Sequence, residues 1–157
     1  MKNEMELTIS ALSENEAFAR NVIAAFCVGI NPTIDEIDDV KTVVSEAVTN
    51  CIVHAYKSEN GKIILRASIL DHTLKIEVED FGVGIENIEK AIEPFYTDKP
   101  DDERSGMGFT VMKAFTDEFS VENKEAGGVI IKMTKNFRVS DKAVDDFGGT
   151  RRSIKSY

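Results

Sequence analysis

The chain has 157 residues, a length that suits one domain with its own hydrophobic core, and its formal net charge is −9. Hydrophobic residues make up 42% of it and charged residues 30%, as in ordinary soluble proteins. It lacks the clustered Lys and Arg of a generic nucleic-acid surface, an apolar run of signal-peptide length, and the ~20 apolar residues of a membrane span. We therefore expect a cytoplasmic protein that binds neither nucleic acid directly nor a membrane.

The first part of the chain predicts one strand followed by two helices. Alternating apolar and polar residues predict a strand over 4–11. Ser13 and Thr33 each stand three positions before a glutamate, so each predicts a capping box at the start of a helix. The first helix is expected to end near residue 30, before an Asn-Pro pair, and the second near residue 56.

The rest of the chain predicts two pairs of strands separated by a loop and a helix. Because the strands alternate apolar and polar residues, we expect a sheet covered by helices on one face, an α/β (α+β) two-layer sandwich with a mostly antiparallel sheet. We interpret residues 1–137 as one domain and residues 138–157 as a polar tail. The predicted elements are strands at 62–70 and 73–80, a loop-rich region at 81–105, a helix over about 106–115, and a hairpin of strands at 119–122 and 129–134.

Two types of residue on the apolar helices invite a chemical interpretation. Cys27 and Cys51 fall in apolar patterns and are interpreted as small buried residues, because two cysteines give no disulfide framework or metal spacing. Glu46, Asn50 and His54 are spaced four apart, so they share one helical face. An amide oxygen is a ligand for Mg²⁺, and a carboxylate one turn earlier can accept a proton. The alternative is a solvated flank with an interior histidine.

Glycine-rich turns form the other two motifs. Asp80 ends a strand, where its carboxylate can accept a hydrogen bond from an exocyclic amine, and Gly82 and Gly84 let the backbone approach a planar ligand. The glycines of segment 106–108 precede a helix, whose amides can hold phosphate oxygens, and the guanidinium of Arg104 suits a terminal phosphate. No Lys-Ser/Thr pair follows, so this is not a Walker A loop. Each segment alone also fits an ordinary turn or surface loop.

The three motifs together resemble the GHKL ATPase superfamily, whose Bergerat fold occurs in gyrase, Hsp90, MutL and histidine kinases. Residues 46–50 resemble its N box, residues 80–84 its first glycine box, and residues 104–108 its second. The resemblance implies that ATP or ADP binds with Mg²⁺ on Asn50, with the adenine amino group on the glycine-box carboxylate, under a lid near 95–107. The implied cofactor-binding residues are Asn50, Asp80, Gly82, Gly84, Thr97, Lys99, Ser105, Gly106, Met107 and Gly108.

Residues 1–137 are similar, more closely, to the anti-sigma factor kinases of endospore-forming bacteria, most clearly in the runs VKTVVSEAVTNCIVHAY and TDKPDDERSGMGFTVMKAF. This resemblance implies a homodimeric serine protein kinase that holds a sporulation sigma factor inactive and phosphorylates an anti-anti-sigma STAS protein. Glu46 would then be the catalytic base, Arg104 would act on the transferring phosphate, and Arg20 would contact a partner. Arg20 also fits a solvated helix charge. Val129 stands after Gly128, where the family often has Thr.

Other functions share parts of this pattern. A kinase of the general stress response would carry the same motifs. The ATP-binding domain of a two-component histidine kinase would need a preceding phospho-acceptor hairpin, whereas this chain starts with the first strand. A nucleotide-sensing module without phosphotransfer would leave Glu46 unexplained, and a gyrase-type ATPase would need a transducer domain for which the chain leaves no room.

Overall fold

The computed structural model describes residues 2–56, 61–94 and 107–139. A 3-10 turn follows the first helix over Val28–Ile30, and a π turn follows the second over Cys51–Ala55. In chain order the main elements are β1 (Lys2–Ser10), α1 (Glu14–Cys27), α2 (Ile34–Asn50), β2 (Lys62–Leu70), β3 (Thr73–Asp80), α3 (Ile88–Ala91), α4 (Gly108–Ala114), β4 (Glu118–Asn123) and β5 (Val129–Asn136).

The strands form one sheet in the order β1-β2-β3-β5-β4, and every neighbouring pair is antiparallel. β3 therefore lies at the centre, between β2 and β5. This arrangement confirms the predicted antiparallel sheet with helices. Within the described parts of the chain, no helix combines the length and the apolar character needed to cross a membrane.

The two faces of the sheet differ sharply in chemistry. Leu65 pairs with Val78, which pairs with Ile131, and all three are almost fully buried. Opposed residues in antiparallel strands share a face, so this row marks the side that packs with α1 and α2 into one core. On the other face, Arg66 forms salt bridges to Glu6 and Glu79, with nitrogen–oxygen distances of 2.8 and 2.6 Å. The structure is thus the two-layer sandwich that the alternating strands predict.

The two predicted capping boxes have different outcomes. At α2, the Glu36 amide donates to Thr33 Oγ1 (3.2 Å), and the Thr33 amide donates to Glu36 Oε2 (2.8 Å), which confirms the box. The box predicted at Ser13 is wrong, because the Ser13 side chain makes no capping hydrogen bond. Ser13 is itself in the helical conformation (φ −57°, ψ −34°), whereas an N-cap residue needs an extended backbone to aim its hydroxyl at the free amides.

Glu36 also holds the chain where it leaves the last strand. The Arg138 amide donates to Glu36 Oε1 at 2.8 Å, and the neighbouring Phe137 is buried. Burial alone would raise the pKa of Glu36, but the hydrogen bonds from Arg138 and Thr33 outweigh it and lower the pKa below its ordinary value. The carboxylate is therefore ionised while it joins α2 to the segment after β5.

The contrast between the two caps gives a first prediction. Replacing Thr33 with Ala removes the hydroxyl that accepts the Glu36 amide, so we expect the free energy of unfolding to fall by about 1 kcal/mol. Ser13→Ala is the matched control and should change it by less than about 0.5 kcal/mol, because no capping bond is lost. Urea unfolding followed by circular dichroism measures both. Equal losses in the two variants would contradict this assignment.

Candidate functional site

The start of α4 lies against two polar side chains of α2. A Cβ atom built on Gly108 would lie 3.0 Å from Glu46 Oε2 and 3.4 Å from Asn50 Oδ1. Both side chains are half-buried, and they lie one turn apart on α2, as their spacing predicts. The structure therefore brings the first predicted motif into contact with the last glycine of the third. Met107 is the residue immediately before α4, so the helix begins two positions later than predicted.

Beyond Asn50, the helix widens into the π turn. His54 lies in this turn, outside the regular α-helical repeat on which the prediction of one shared face depended. Single π turns in α-helices often occur at functional sites. This one ends at Ala55, whose carbonyl oxygen accepts a hydrogen bond from the Val83 amide at 3.2 Å. The π turn is thereby attached to the glycine turn that follows β3.

Asp80 is a buried carboxylate at the end of the central strand. Only 4% of its surface is exposed, and its Oδ1 accepts hydrogen bonds from the amides of Gly82 (3.0 Å) and Val129 (3.1 Å). Because both amides reach Oδ1, they leave Oδ2 to other donors. The carboxylate also neighbours Cys51. Burial raises the pKa of the Cys51 thiol well above its usual value and the charge of Asp80 raises it further, so Cys51 stays protonated.

The turn after Asp80 is held from both sides. Asn123 binds the Ile85 backbone twice: its Oδ1 accepts from the amide (2.8 Å), and its Nδ2 donates to the carbonyl (2.7 Å). On the other side, the Phe81 amide donates to the hydroxyl of Tyr56 at 2.7 Å. These side chains come from β4 and from the residue after the π turn, so segments distant in sequence determine the conformation of the turn.

Two glycines allow the backbone to approach closely at this place. A Cβ on Gly82 would overlap the carbonyl of Ala55, and a Cβ on Gly128 would overlap the carbonyl of Asp80. The hairpin between β4 and β5 therefore rests directly on the end of β3. Val129, which stands where the family often has Thr, takes part through its backbone amide. No side-chain pattern could predict that contact, although the paired glycines before it are a signal of close packing.

The outer edge of the turn carries an aromatic ring between charged groups. Phe81 is 46% exposed, and the ammonium group of Lys124 lies 3.7 Å from its ring centroid, within the range of a cation–π contact. Lys124 also donates to Glu79 at 2.7 Å, and this hydrogen bond is the main reason why the pKa of Glu79 lies below its ordinary value. The charged face of the sheet thus continues to the edge of the glycine turn.

Of the remaining predicted residues, the structure describes Arg20 but not those of the segment before Met107. Arg20 lies on α1 with its side chain 40% exposed, and its guanidinium binds Glu16 at 3.2 Å. Within the ranges that the structure describes, no three His, Cys, Asp or Glu residues form a cluster that could hold a metal ion. A cation at Asn50 would thus take most of its ligands from elsewhere, as Mg²⁺ does with phosphates and water. Thr97, Lys99, Arg104, Ser105 and Gly106 lie outside the described residues.

The fold and this arrangement of polar helix, buried carboxylate and glycine turn define an ATPase-type domain, and comparison with known proteins agrees. Residues 9–135 match the family model of the histidine kinase-like ATPase domain. A protein named anti-sigma F factor from Clostridium acetobutylicum is 55% identical over 137 residues, which are 87% of this chain and 96% of the relative. Its counterpart in Caldanaerobacter subterraneus subsp. tengcongensis is 54% identical over 133 residues, 85% of this chain and 93% of the relative. The chain belongs to the histidine kinase-like ATPase family and, within it, to the anti-sigma F factors.

Solved structures share the fold at low sequence identity. The RsbU and RsbW domains of Rv1364c from Mycobacterium tuberculosis match with a TM-score of 0.63 and 19% identity, over 86% of this chain and 32% of that one. The catalytic domain of the histidine kinase ThkA matches with a TM-score of 0.54 and 20% identity, over 86% of this chain and 96% of that one. At such identities these matches support the α/β fold alone.

The close packing at Gly82 gives a second prediction. Gly82→Ala places a methyl group against the carbonyl oxygen of Ala55, which belongs to the rigid backbone. We therefore expect a loss of about 1–3 kcal/mol in the free energy of unfolding. Gly29→Ala is the control: nothing lies within 4 Å of its Cβ position, and the change should be neutral or stabilise by up to about 1 kcal/mol. Thermal unfolding compares the two. A Gly82→Ala protein as stable as the Gly29→Ala protein would contradict the close packing of Gly82 against Ala55.

Proposed function

We propose that this chain is an anti-sigma factor and a serine protein kinase. It binds and inhibits a sporulation sigma factor, and it phosphorylates an anti-anti-sigma protein of the STAS class on a serine with Mg-ATP. The observation that carries the proposal is the close approach of Gly108 to Glu46 and Asn50. The buried carboxylate of Asp80, at the end of β3, supports it. The name anti-sigma F factor, borne by close relatives, supports the sigma factor as a partner.

The residues at the phosphate end fit a magnesium nucleotide. The Asn50 amide oxygen is a hard donor, and Gly108 has no side chain to fill the space in front of it. Mg²⁺, when bound, neutralises negative charge on the phosphates, and Asn50 would hold it. Gly106, Met107 and Gly108 contribute backbone amides to the phosphates. Ser105 contributes from the same glycine box, and Thr97 and Lys99 contribute from the segment between the two glycine boxes.

At the base end, Asp80 accepts a hydrogen bond from the adenine amino group. Its Oδ1 is already occupied by two backbone amides, which keep the carboxyl plane fixed before any ligand arrives. A carboxylate fixed in this way loses little conformational freedom when it binds a base. Gly82 and Gly84 provide a flat backbone beside the purine, because neither carries a side chain.

The chemical step transfers one phosphoryl group to a serine hydroxyl. Glu46 accepts the hydroxyl proton while the serine oxygen bonds to the γ-phosphorus, and the bond from that phosphorus to the oxygen of ADP breaks. Glu46 suits this role because it lies half-buried on a core helix, which keeps its carboxylate in a fixed place. Arg104 stabilises the charge on the transferring group, since positioning and electrostatics supply most of the rate in phosphoryl transfer.

The assembly completes the proposal. The chain acts as a cytoplasmic homodimer, and its ATP or ADP state selects the partner. Arg20 contributes to the partner surface through its partly exposed side chain on α1. Residues 1–137 form the working domain, and residues 138–157 form a tail to which we assign no role.

Native mass spectrometry with a sigma factor tests this assembly. Two copies of the chain should carry the sigma factor when nucleotide is present, and a chain that remains a monomer would contradict the dimer.

The kinase activity is tested by incubation with labelled ATP and a STAS protein. Wild-type protein should transfer label to a serine, and Glu46→Gln should lower the transfer rate about 100-fold or more, because the amide cannot accept the proton. ATP affinity, measured by calorimetry, should be retained. Glu118→Gln, an exposed change on β4, is the control and should behave like wild type. Full transfer by the Glu46→Gln protein would exclude Glu46 as the base.

The base-binding role is tested by Asp80→Asn. Asn keeps an oxygen for the amides of Gly82 and Val129 but loses the charge, so folding should persist. A hydrogen bond to a charged group contributes about 1.5–3 kcal/mol, and we therefore expect ATP to bind about tenfold to 100-fold more weakly. Calorimetric titration with ATP measures the change. An unaltered dissociation constant would remove Asp80 from the proposed site.

A further inference from the structure

The hydroxyl group of Tyr56 joins three segments at the base end of the site. It accepts a hydrogen bond from the Phe81 amide at 2.7 Å and donates one to the carbonyl of Lys62. A phenol has one proton to donate and an oxygen that accepts, and here it uses both capacities. Tyr56 directly follows the π turn, Lys62 begins β2, and Phe81 is the first residue after Asp80. One oxygen atom therefore connects the end of the π turn, the start of β2 and the glycine turn.

The ring of Tyr56 is as tightly placed as its hydroxyl. A Cβ atom on Gly61 would overlap three carbon atoms of the ring, so the ring packs directly against Gly61. The Gly61 carbonyl in turn accepts the amide of Ala11 at 2.8 Å, which fixes that backbone to the end of β1. The phenol cannot shift toward or away from the turn unless these strand ends move with it.

The protonation state suits this role. Burial raises the pKa of Tyr56 above its ordinary value, and the negative charge of Asp80 acts in the same direction. The phenol therefore keeps the proton that it donates to Lys62.

The hydrogen bond between Tyr56 and the Phe81 amide matters because of where Phe81 lies in the chain. Phe81 lies between Asp80, the carboxylate, and Gly82, whose amide holds Oδ1 of that carboxylate at 3.0 Å. Tyr56 anchors the peptide nitrogen between them. A displacement of Phe81 would rotate the two groups relative to each other, and the carboxylate would lose its orientation toward a base.

We infer that Tyr56 is a positioning residue for base selection, whose hydroxyl anchors the Phe81 amide so that Asp80 distinguishes a 6-amino purine from a 6-oxo purine. A 6-amino group donates to a carboxylate, whereas a 6-oxo group presents a second acceptor and is repelled. The inference rests on the proposed role of Asp80 and extends it to a residue that acts through the turn. Such indirect positioning is common where a site must be held within a fraction of an ångström.

The test compares ATP with inosine triphosphate, which carries the 6-oxo group and the same phosphates. Tyr56→Phe removes the hydroxyl but keeps the ring on Gly61. Wild-type protein should prefer ATP. In Tyr56→Phe that preference should fall about fivefold to tenfold, mostly through weaker ATP binding, because the Phe81 amide loses its hydrogen-bond partner. Thr73→Val is the matched control: it removes the hydrogen bond from Thr73 Oγ1 to Asn136 Oδ1 (2.8 Å) at the opposite end of β3 and should leave the preference unchanged.

Calorimetric titrations and melting curves separate the outcomes. A lower ATP preference in Tyr56→Phe, with the inosine triphosphate affinity retained, supports the inference. Two results would assign Tyr56 a purely structural role and overturn the inference: an unchanged preference, or an equal loss of affinity for both nucleotides with a lower melting temperature. If Asp80→Asn lowers the preference and Tyr56→Phe does not, only this inference fails. If wild-type protein shows no preference for ATP, the proposed role of Asp80 fails as well.

Discussion

A buried carboxylate at the end of a central strand requires hydrogen bonds, because an isolated charge in the protein interior is strongly unfavourable. At Asp80 the donors are two backbone amides, one from Gly82 in the following turn and one from Val129 at the start of β5. This requirement draws the turn back toward its own strand and brings the last hairpin over it. The close backbone approach at Gly128 follows from the same requirement.

The sheet supplies the rigidity on which this site depends. Val78 lies two residues before Asp80 on the same inner face, and it is held between Leu65 and Ile131 in the buried row. Because side chains of a strand alternate between faces, the packing of Val78 determines the direction in which the carboxylate points. The apolar core therefore orients Asp80, and the neighbouring backbone amides complete that orientation.

The strands and the main helices could be predicted from the sequence, because their signals are local. The strand 73–80 and the cap at Thr33 depend on alternation and on contacts three residues apart. Ser13 carries the same local signal but fails, because its backbone is already helical. The contacts of Val129, Asn123 and Tyr56 with the glycine turn join segments 25 to 49 residues apart, and each uses a backbone atom that has no sequence signature. The contact of α2 with Gly108 has no local signal, and only the family resemblance indicates that these two segments form one site.

Glu36 shows how one ionisable group can couple two distant parts of the chain. One of its oxygens completes the cap of α2, and the other holds the Arg138 amide where the chain leaves β5. Since its folded pKa lies below the unfolded value, the stabilisation is complete above the unfolded pKa and is lost as the pH falls through the folded one. A single protonation event in acid would therefore loosen the beginning of a helix and the exit of the final strand together.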